Sequence, residues 1–463
     1  MADETDILII GAGAAGLAAA CELSSANFDI IVLEARDRIG GRIHTHSDSQ
    51  LTAPIELGAE FVHGKAPEIF KLAKSAGLKL IELPNTHWYF RNGRVSKSGQ
   101  FWSRIEAVMD DLAKYRDRDE SFAEFLDQYS RKHHVHDVRS MATLFVEGFH
   151  AAHIDKISAD GLIKTDEAAA EIHDDKQFRP ATGYLPMAQW LHDQAVAHGA
   201  TFRFETVVEA VKWSEGSVAV TAKGGEQFKA RRLIVTVPLG LLQRNDVTFT
   251  PRLIAKEEAA NKLAVGQVVK VVLRFRDRFW EQITLPAEDG TRVDLKGLAF
   301  IHAPDELLPT WWTQLPVRAP LLVGWAGGTR AEELLAQNGA GSRTNSGPQV
   351  NAGLQTNSGL QTNSDALVDK SLAALSHIFA EPVESLEDEL VDAYTHDWSA
   401  DPFSLGAYSY IPLGGLKAQA ALAEPIENTI YFAGEAANNS GHHATVYGAL
   451  TTGLRAAELI RQS

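Results

Sequence analysis

Lys270 stands in the middle of VGQVVKVVLRF, residues 265–275. Its neighbours Val268, Val269, Val271, Val272, Leu273 and Phe275 are β-branched or large apolar residues, the types that fill a packed, pleated surface. At the two-residue period of a strand, Lys270 shares a face with Val268 and Val272. An ammonium group there needs an explanation, because lysine is rarely buried without a partner. The local pattern favours an edge strand whose lysine reaches water, or a stem lying along apolar surface with its head exposed. Whether Lys270 is instead a functional cation depends on what the rest of the chain builds around it.

A second group of residues points to phosphate. Gly11, Gly13 and Gly16 form G-x-G-x-x-G between a strand and an Ala-rich helix in DILIIGAGAAGLAAA. The first glycine makes the tight turn, the second lets a pyrophosphate approach the backbone, and the third lets helix and strand pack closely. The helix start then offers free N–H groups and the positive end of its dipole. Alone the motif is weak. Here Glu34 closes the second strand, FDIIVLEA, 18 residues past Gly16, where a carboxylate accepts ribose hydroxyls and favours an unphosphorylated ribose. The competing reading, a glycine-rich turn with no ligand, loses ground to that context.

The next residues choose between NAD and FAD. In DRIGGR, Gly40 and Gly41 permit another close backbone approach, and Arg42 can meet a pyrophosphate with its planar fork. Far along the chain, YFAGEA repeats a strand running into Gly434 and Glu435 ahead of a helix. Two phosphate-directed helix ends and an extra arginine suit a long, buried FAD.

The elements that must position these residues can be read coarsely. The chain of 463 residues is long enough for two or three domains, and its 45% apolar and 22% charged content is that of a soluble globular protein. A net charge of −16 disfavours nucleic acid and anionic lipid as partners. Cys21 is the only cysteine, which excludes a disulfide framework and a cysteine metal cluster and suits a reducing compartment. With no membrane-spanning run and no visible signal peptide in MADETD, the expected location is cytoplasmic. A β-α-β unit opens the chain. Residues 100–200 read as mostly helical, and residues 200–238 as a β-meander ending in a buried strand. Residues 337–364, rich in Gly, Ser, Asn and Thr with GLQTNS in tandem, read as a low-complexity flexible insertion. The expected fold is mixed α/β: a Rossmann-type FAD-binding domain from 1–82, 202–256 and 401–463, and a substrate domain of mixed sheet and helices from 83–201 and 257–400.

The motifs GAGAAGL, EARDRIGGR, ELGAEFVHG, TVPLGLL, VVKVVLRFRDRFW, GAYSYI and AGEAANNSGHHATVYGALTTGLRAA occur in that order. With them the sequence resembles the flavin-dependent amine oxidases: monoamine oxidases, polyamine oxidases and lysine-specific histone demethylases. The likeness spans nearly the whole chain. It implies a flavin that takes hydride at N5 from the carbon beside an amine, hydrolysis of the imine, and return of the electrons to dioxygen as hydrogen peroxide. It implies FAD contacts at Gly11, Gly13, Gly16, Glu34, Arg36, Gly41, Arg42, Gly58, Ala59, Val208 (through its backbone), Gly434, Glu435, Thr445 and Val446. The last two bring a helix N-terminus to the pyrimidine edge. Monoamine oxidases attach FAD through a cysteine near GAYSY; this chain has none there, so non-covalent FAD is expected.

By the same likeness Lys270 reaches flavin N5 through a water, where a cation stabilises negative charge as dioxygen takes electrons. Tyr410 matches one wall of an aromatic sandwich before the flavin, and Thr445 stands where the monoamine oxidases place the other. Trp398 and Phe403 are candidates for the amine pocket, with core packing an equal alternative. Glu60 and His63 are candidates to hold a distal ammonium near an entrance, with structural hydrogen bonding equally open. His442 and His443 either shape flavin or substrate contacts or cap the last helix. No carboxylate or cysteine stands at ligand spacing from them, so no metal is expected. The expected function is oxidation of a polyamine or a primary or secondary monoamine, with dioxygen as co-substrate. The competitors are an L-amino acid oxidase, which needs an arginine for the substrate carboxylate, and a flavin-binding protein with little turnover. Substrate identity and the oligomeric state, a homodimer included, stay open.

Overall fold

The computed structural model describes residues 3–97, 99–135, 138–340 and 361–463. Its architecture is mixed α/β. The opening strand Asp3–Ile10 lies between Ile30–Leu33 and Gln227–Val235, parallel to both. Ile7, Leu8, Ile9 and Ile10 are all buried, as expected for a parallel strand covered on both faces. Strand Gln227–Val235 forks. Its first half pairs antiparallel with Ser217–Ala222, and its last residues pair parallel with Ile430–Phe432. Three regions far apart in sequence thereby share one sheet. Thr201–Arg203 extends it at the far edge, beside Ile30–Leu33.

Helix Ala14–Ser25 packs on this sheet, and the last helix, Val446–Gln462, packs beside it. The approach is close: a Cβ on Gly453 would sit 2.2 Å from the Ala15 carbonyl oxygen. Helix Leu185–Ala197 joins the same core through Met187, Ala188 and Leu191, although it falls in the segment read from sequence as part of the substrate side.

The second large sheet runs Leu390–Thr395, Val268–Phe275, Leu321–Gly327, Thr310–Thr313, Phe300–His302, His87–Arg91, Arg94–Lys97. The strand carrying Lys270 has a partner on each side, so the edge-strand reading of its local pattern does not hold. Val269, Val271, Leu273 and Phe275 face a core with Trp88, Ile301 and Trp311. Val268, Lys270 and Val272 face the other way. Helices Gly99–Leu112, Phe122–His133, Val138–His150 and Ala159–Glu171 pack around their own apolar core and confirm the helical character of this stretch. Within it, Gln177–Pro180 is a strand that pairs with Val62–His63. Most of the low-complexity insertion, residues 341–360, lies outside the described residues. No helix among the described residues is long and apolar enough to cross a membrane.

Candidate active site

A continuous cavity of about 700 Å³ begins at the glycine-rich turn and ends among aromatic side chains in the second sheet. At the turn, Gly11 takes φ +102°, open to glycine and strained for other residues. Helix Ala14–Ser25 starts at Gly13 without a side-chain cap, which leaves its first N–H groups free. Gly13 and Gly41 line the cavity; Gly16 does not. Gly16 acts from behind, since a Cβ there would lie 1.9 Å from the Gly11 carbonyl oxygen. Glu34 is buried and fixed by two backbone donors, Ala12 N–H at 2.7 Å and Arg36 N–H at 2.9 Å.

Val208, Gly58, Ala59, Gly434, Thr445 and Val446 also line the cavity. Arg36 donates to Asp401 at 2.6 Å and to Ser404 at 3.0 Å, and its guanidinium lies 5.4 Å from the centre of the Phe403 ring. Burial works against charge on Asp401, yet hydrogen bonds from His396 and Arg36 hold its carboxyl below the usual range. Phe403 thus lines the cavity beside Arg36. Arg42 donates to Ala407 O at 2.6 Å and to Glu435 Oε1 at 3.0 Å. The other Glu435 oxygen accepts from the Ser409 hydroxyl at 2.6 Å and from Ala444 N–H at 2.9 Å. Both Glu435 oxygens are thus engaged within the protein. The Thr445 hydroxyl is also occupied: it donates to His442 O at 2.7 Å and accepts from Gly448 N–H at 2.8 Å, capping the last helix.

Lys270 sits where the cleft meets the aromatic chamber. Its ammonium is buried, 2.6 Å from Glu60 Oε2 and 3.2 Å from Gly58 O. Arg179 donates to Glu60 Oε1 at 2.7 Å, and Trp312 Nε1 to the same oxygen at 3.0 Å. Burial opposes charge on Glu60, but Lys270 and Arg179 more than compensate and draw its carboxyl down to about 2. Glu60 is therefore no free group at an entrance: both oxygens are committed to a buried cluster of two cations and one carboxylate. The sequence reading missed Arg179, which belongs to the strand Gln177–Pro180, within a stretch read as mostly helical.

The chamber walls include Phe61, His63, Phe145, Phe149, His150, Trp312, Trp325 and Tyr408. Tyr410, the expected aromatic wall, is instead packed with Phe122, Leu162 and Ile163 in the helical core. Tyr408 lies two residues earlier on the short strand Tyr408–Tyr410 and so lines the cavity, its hydroxyl donating to Phe149 O at 3.1 Å. Trp398 also lines the cavity, anchored by Nε1 to Leu57 O at 3.0 Å. His63, His443 and His150 line the cavity. Burial keeps all three neutral, pushing His63 and His443 to about 4 and His150 to about 3. His443 Nδ1 is buried without a partner. Among the described residues no cluster could hold a metal ion.

A bare glycine turn, an uncapped helix start, a fixed carboxylate and an orphaned imidazole nitrogen along one long cleft fit a dinucleotide. The fold and site define a flavoprotein oxidoreductase, and the family model for flavin containing amine oxidoreductases matches residues 14–341 and 350–461. The chain belongs to that family. Polyamine oxidase 4 of Oryza sativa subsp. japonica is 28% identical over 492 residues, covering 100% of this chain and 89% of that protein. Lysine-specific histone demethylase 1 homolog 2 of Arabidopsis thaliana is 26% identical over 474 residues, covering 99% of this chain and 58% of that protein. The structure of wild-type putrescine oxidase bound to putrescine covers 100% of both chains with a TM-score of 0.78 at 23% identity, a likeness in fold.

Proposed function

We propose that the protein binds FAD non-covalently and oxidises a small amine, a polyamine or a primary or secondary monoamine, at the carbon next to nitrogen. The observation that carries this reading is the buried Lys270 ammonium at the junction of the glycine-lined cleft and the aromatic chamber. Bound FAD supplies what these side chains lack: acceptance of hydride from the amine carbon, and return of the electrons to dioxygen as hydrogen peroxide, while water hydrolyses the imine.

The chain's own residues do the rest. Gly11, Gly13 and Gly41 admit the pyrophosphate, Glu34 takes the ribose hydroxyls, and Arg42 faces the cleft from its anchor on Glu435. The start of helix Val446–Gln462 supplies positive potential at its end of the cleft. Lys270 holds a cation where negative charge develops during transfer to dioxygen and orders a water there. Tyr408 and the neutral imidazoles of His63, His150 and His443 enclose the reacting carbon in an uncharged wall, and the aromatic faces orient the amine. Cys21 lies on helix Ala14–Ser25 and is not among the residues lining the cavity, which supports non-covalent attachment.

The names of the relatives favour polyamines and lysine side chains as substrates; the aromatic lining of the chamber suits a small amine. An amino-acid oxidase finds no support. The lining arginines Arg36, Arg42 and Arg244 pair with Asp401, Glu435 and Asp246, and none belongs to the aromatic chamber. A peroxide-coupled screen of amines and amino acids tests the reading, with Lys270→Met as control. Amines are expected to bleach the flavin anaerobically and to release peroxide in air. Lys270→Met is expected to slow reoxidation tenfold or more; full rates of both flavin reduction and reoxidation in that variant would falsify the role of Lys270. Acid precipitation is expected to leave the flavin in the supernatant.

A further inference from the structure

The floor of the aromatic chamber runs away from Lys270 across the second sheet. Cross-strand pairing sets Lys270 beside Trp325, Trp325 beside Thr310, and Thr310 beside His302. Neighbouring strands lie ~4.8 Å apart, so three steps carry the floor about 14 Å from the lysine. Two imidazoles meet at that end. His87 Nδ1 and His302 Nε2 are 3.0 Å apart, and His302 Nδ1 is 3.3 Å from Thr310 Oγ1. His87 stacks on Phe300 at 4.5 Å with planes 4° apart. All of these residues line the cavity.

Among the described residues, this end of the chamber carries no charge. Burial lowers His87 to about 4 and His302 to about 3, so both rings are neutral at pH 7. The carboxylates that line the cavity lie elsewhere: Glu34, Glu209, Asp246 and Glu435 along the cofactor cleft, Glu60 tied to Lys270 and Arg179, and Asp174 in the turn before Gln177–Pro180. An ammonium brought here would be desolvated with no counter-charge. A neutral imidazole pair offers something different. One proton lies between the rings, and a concerted change of tautomer makes His87 Nε2 a donor in one arrangement and an acceptor in the other. Thr310, able to donate or accept, closes either arrangement.

We propose that His87, His302 and Thr310 form a specificity subsite for the far end of the amine substrate, and that this end is an uncharged hydrogen-bonding group, an amide or a hydroxyl, in place of a second ammonium. The inference rests on the amine-oxidase reading of the same cavity and narrows it.

The test compares three probes of matched length: a straight-chain α,ω-diamine, its mono-N-acetyl derivative and the corresponding amino alcohol. Flavin reduction and peroxide release are followed for wild type and His87→Phe, which keeps an aromatic ring against Phe300. For wild type, kcat/KM with the amide or the alcohol is expected to exceed that with the diamine at least tenfold, mostly through KM; which of the two leads identifies the far group. In His87→Phe the ratio is expected to fall to within threefold of one. Thr310→Val, a near-isosteric change at the end of the relay, is expected to move the ratio the same way and serves if His87→Phe does not fold. A wild type that prefers the diamine, or variants that keep the tenfold preference, overturns the subsite. A wild type whose flavin none of the three probes, nor any simple alkylamine, reduces overturns the amine-oxidase reading itself.

Discussion

Glu60 Oε2 lies 2.6 Å from Lys270 Nζ, with both side chains buried, and Arg179 holds the other Glu60 oxygen at 2.7 Å. The cluster keeps a net positive charge at the junction of cleft and chamber, one carboxylate against two cations. Two buried cations without that carboxylate would face each other uncompensated in low dielectric.

Glu60→Gln keeps the size of the side chain and removes its charge. Lys270 and Arg179 then share a dry site uncompensated, and no opposite charge holds the ammonium in place. Reoxidation by dioxygen is expected to slow severalfold in the variant. Stopped-flow reoxidation at pH 7.5 checks it. Stability has its own sign. The Glu60 carboxyl sits at about 2 in the folded protein against ~4.3 for a free glutamate, so its contribution is present above the unfolded value and lost as pH falls through the folded one. Acid unfolding of Glu60→Gln is expected to show less dependence on pH between ~4.3 and 2 than wild type.

Glu56, four residues before Glu60, behaves oppositely. It is buried, accepts from Tyr184 N–H at 2.6 Å and from the Thr45 hydroxyl, and forms no ion pair among the described residues, although Lys270 acts on it from a distance. Burial raises its carboxyl to about 7. A carboxyl raised on folding stabilises below its unfolded pKa, and that stability drains away as pH climbs through the folded value. Wild-type Tm is expected to fall by several degrees between about pH 4.5 and 7.5 relative to Glu56→Gln, in which an amide oxygen can keep the accepting role. Paired melting curves at matched ionic strength decide the point; parallel curves would remove Glu56 as the source.

Gly16→Ala places a methyl group 1.9 Å from the Gly11 carbonyl oxygen, so the turn and the helix must part. The expected product retains little flavin and melts several degrees lower. The absorbance ratio of flavin to protein after purification measures the first effect, and a melt with added FAD separates it from the second.

How much of this was legible in the sequence depends on the kind of signal. The glycine turn and Glu34 were, because their spacing is imposed by backbone contacts such as the one between Gly16 and Gly11. The burial of Lys270 was not, because its strand pattern is the same at an edge and at the centre of a sheet; only the strands Leu321–Gly327 and Leu390–Thr395, far away in sequence, enclose it. Arg179 and the His87–His302 pair escaped for the same reason. Each is defined by a partner more than a hundred residues distant, Glu60 for one and the opposite imidazole for the other.

Tyr408 and Tyr410 show the limit most narrowly and give a direct test. Both stand on one three-residue strand, and alternation sends them to the same side. The strand advances ~3.4 Å per residue, so Tyr410 lies about 7 Å further on, beyond the chamber and within the core formed by Phe122, Leu162 and Ile163. Tyr408→Leu removes an aromatic wall and a hydrogen bond to Phe149 O, so KM for amines is expected to rise tenfold or more with a smaller change in Tm. Tyr410→Leu removes a ring from a packed core and is expected to cost about 2–4 kcal/mol of stability while KM changes less than threefold. Denaturant unfolding and steady-state kinetics on both variants separate them; a rise in KM confined to Tyr410→Leu would restore Tyr410 to the site and displace Tyr408.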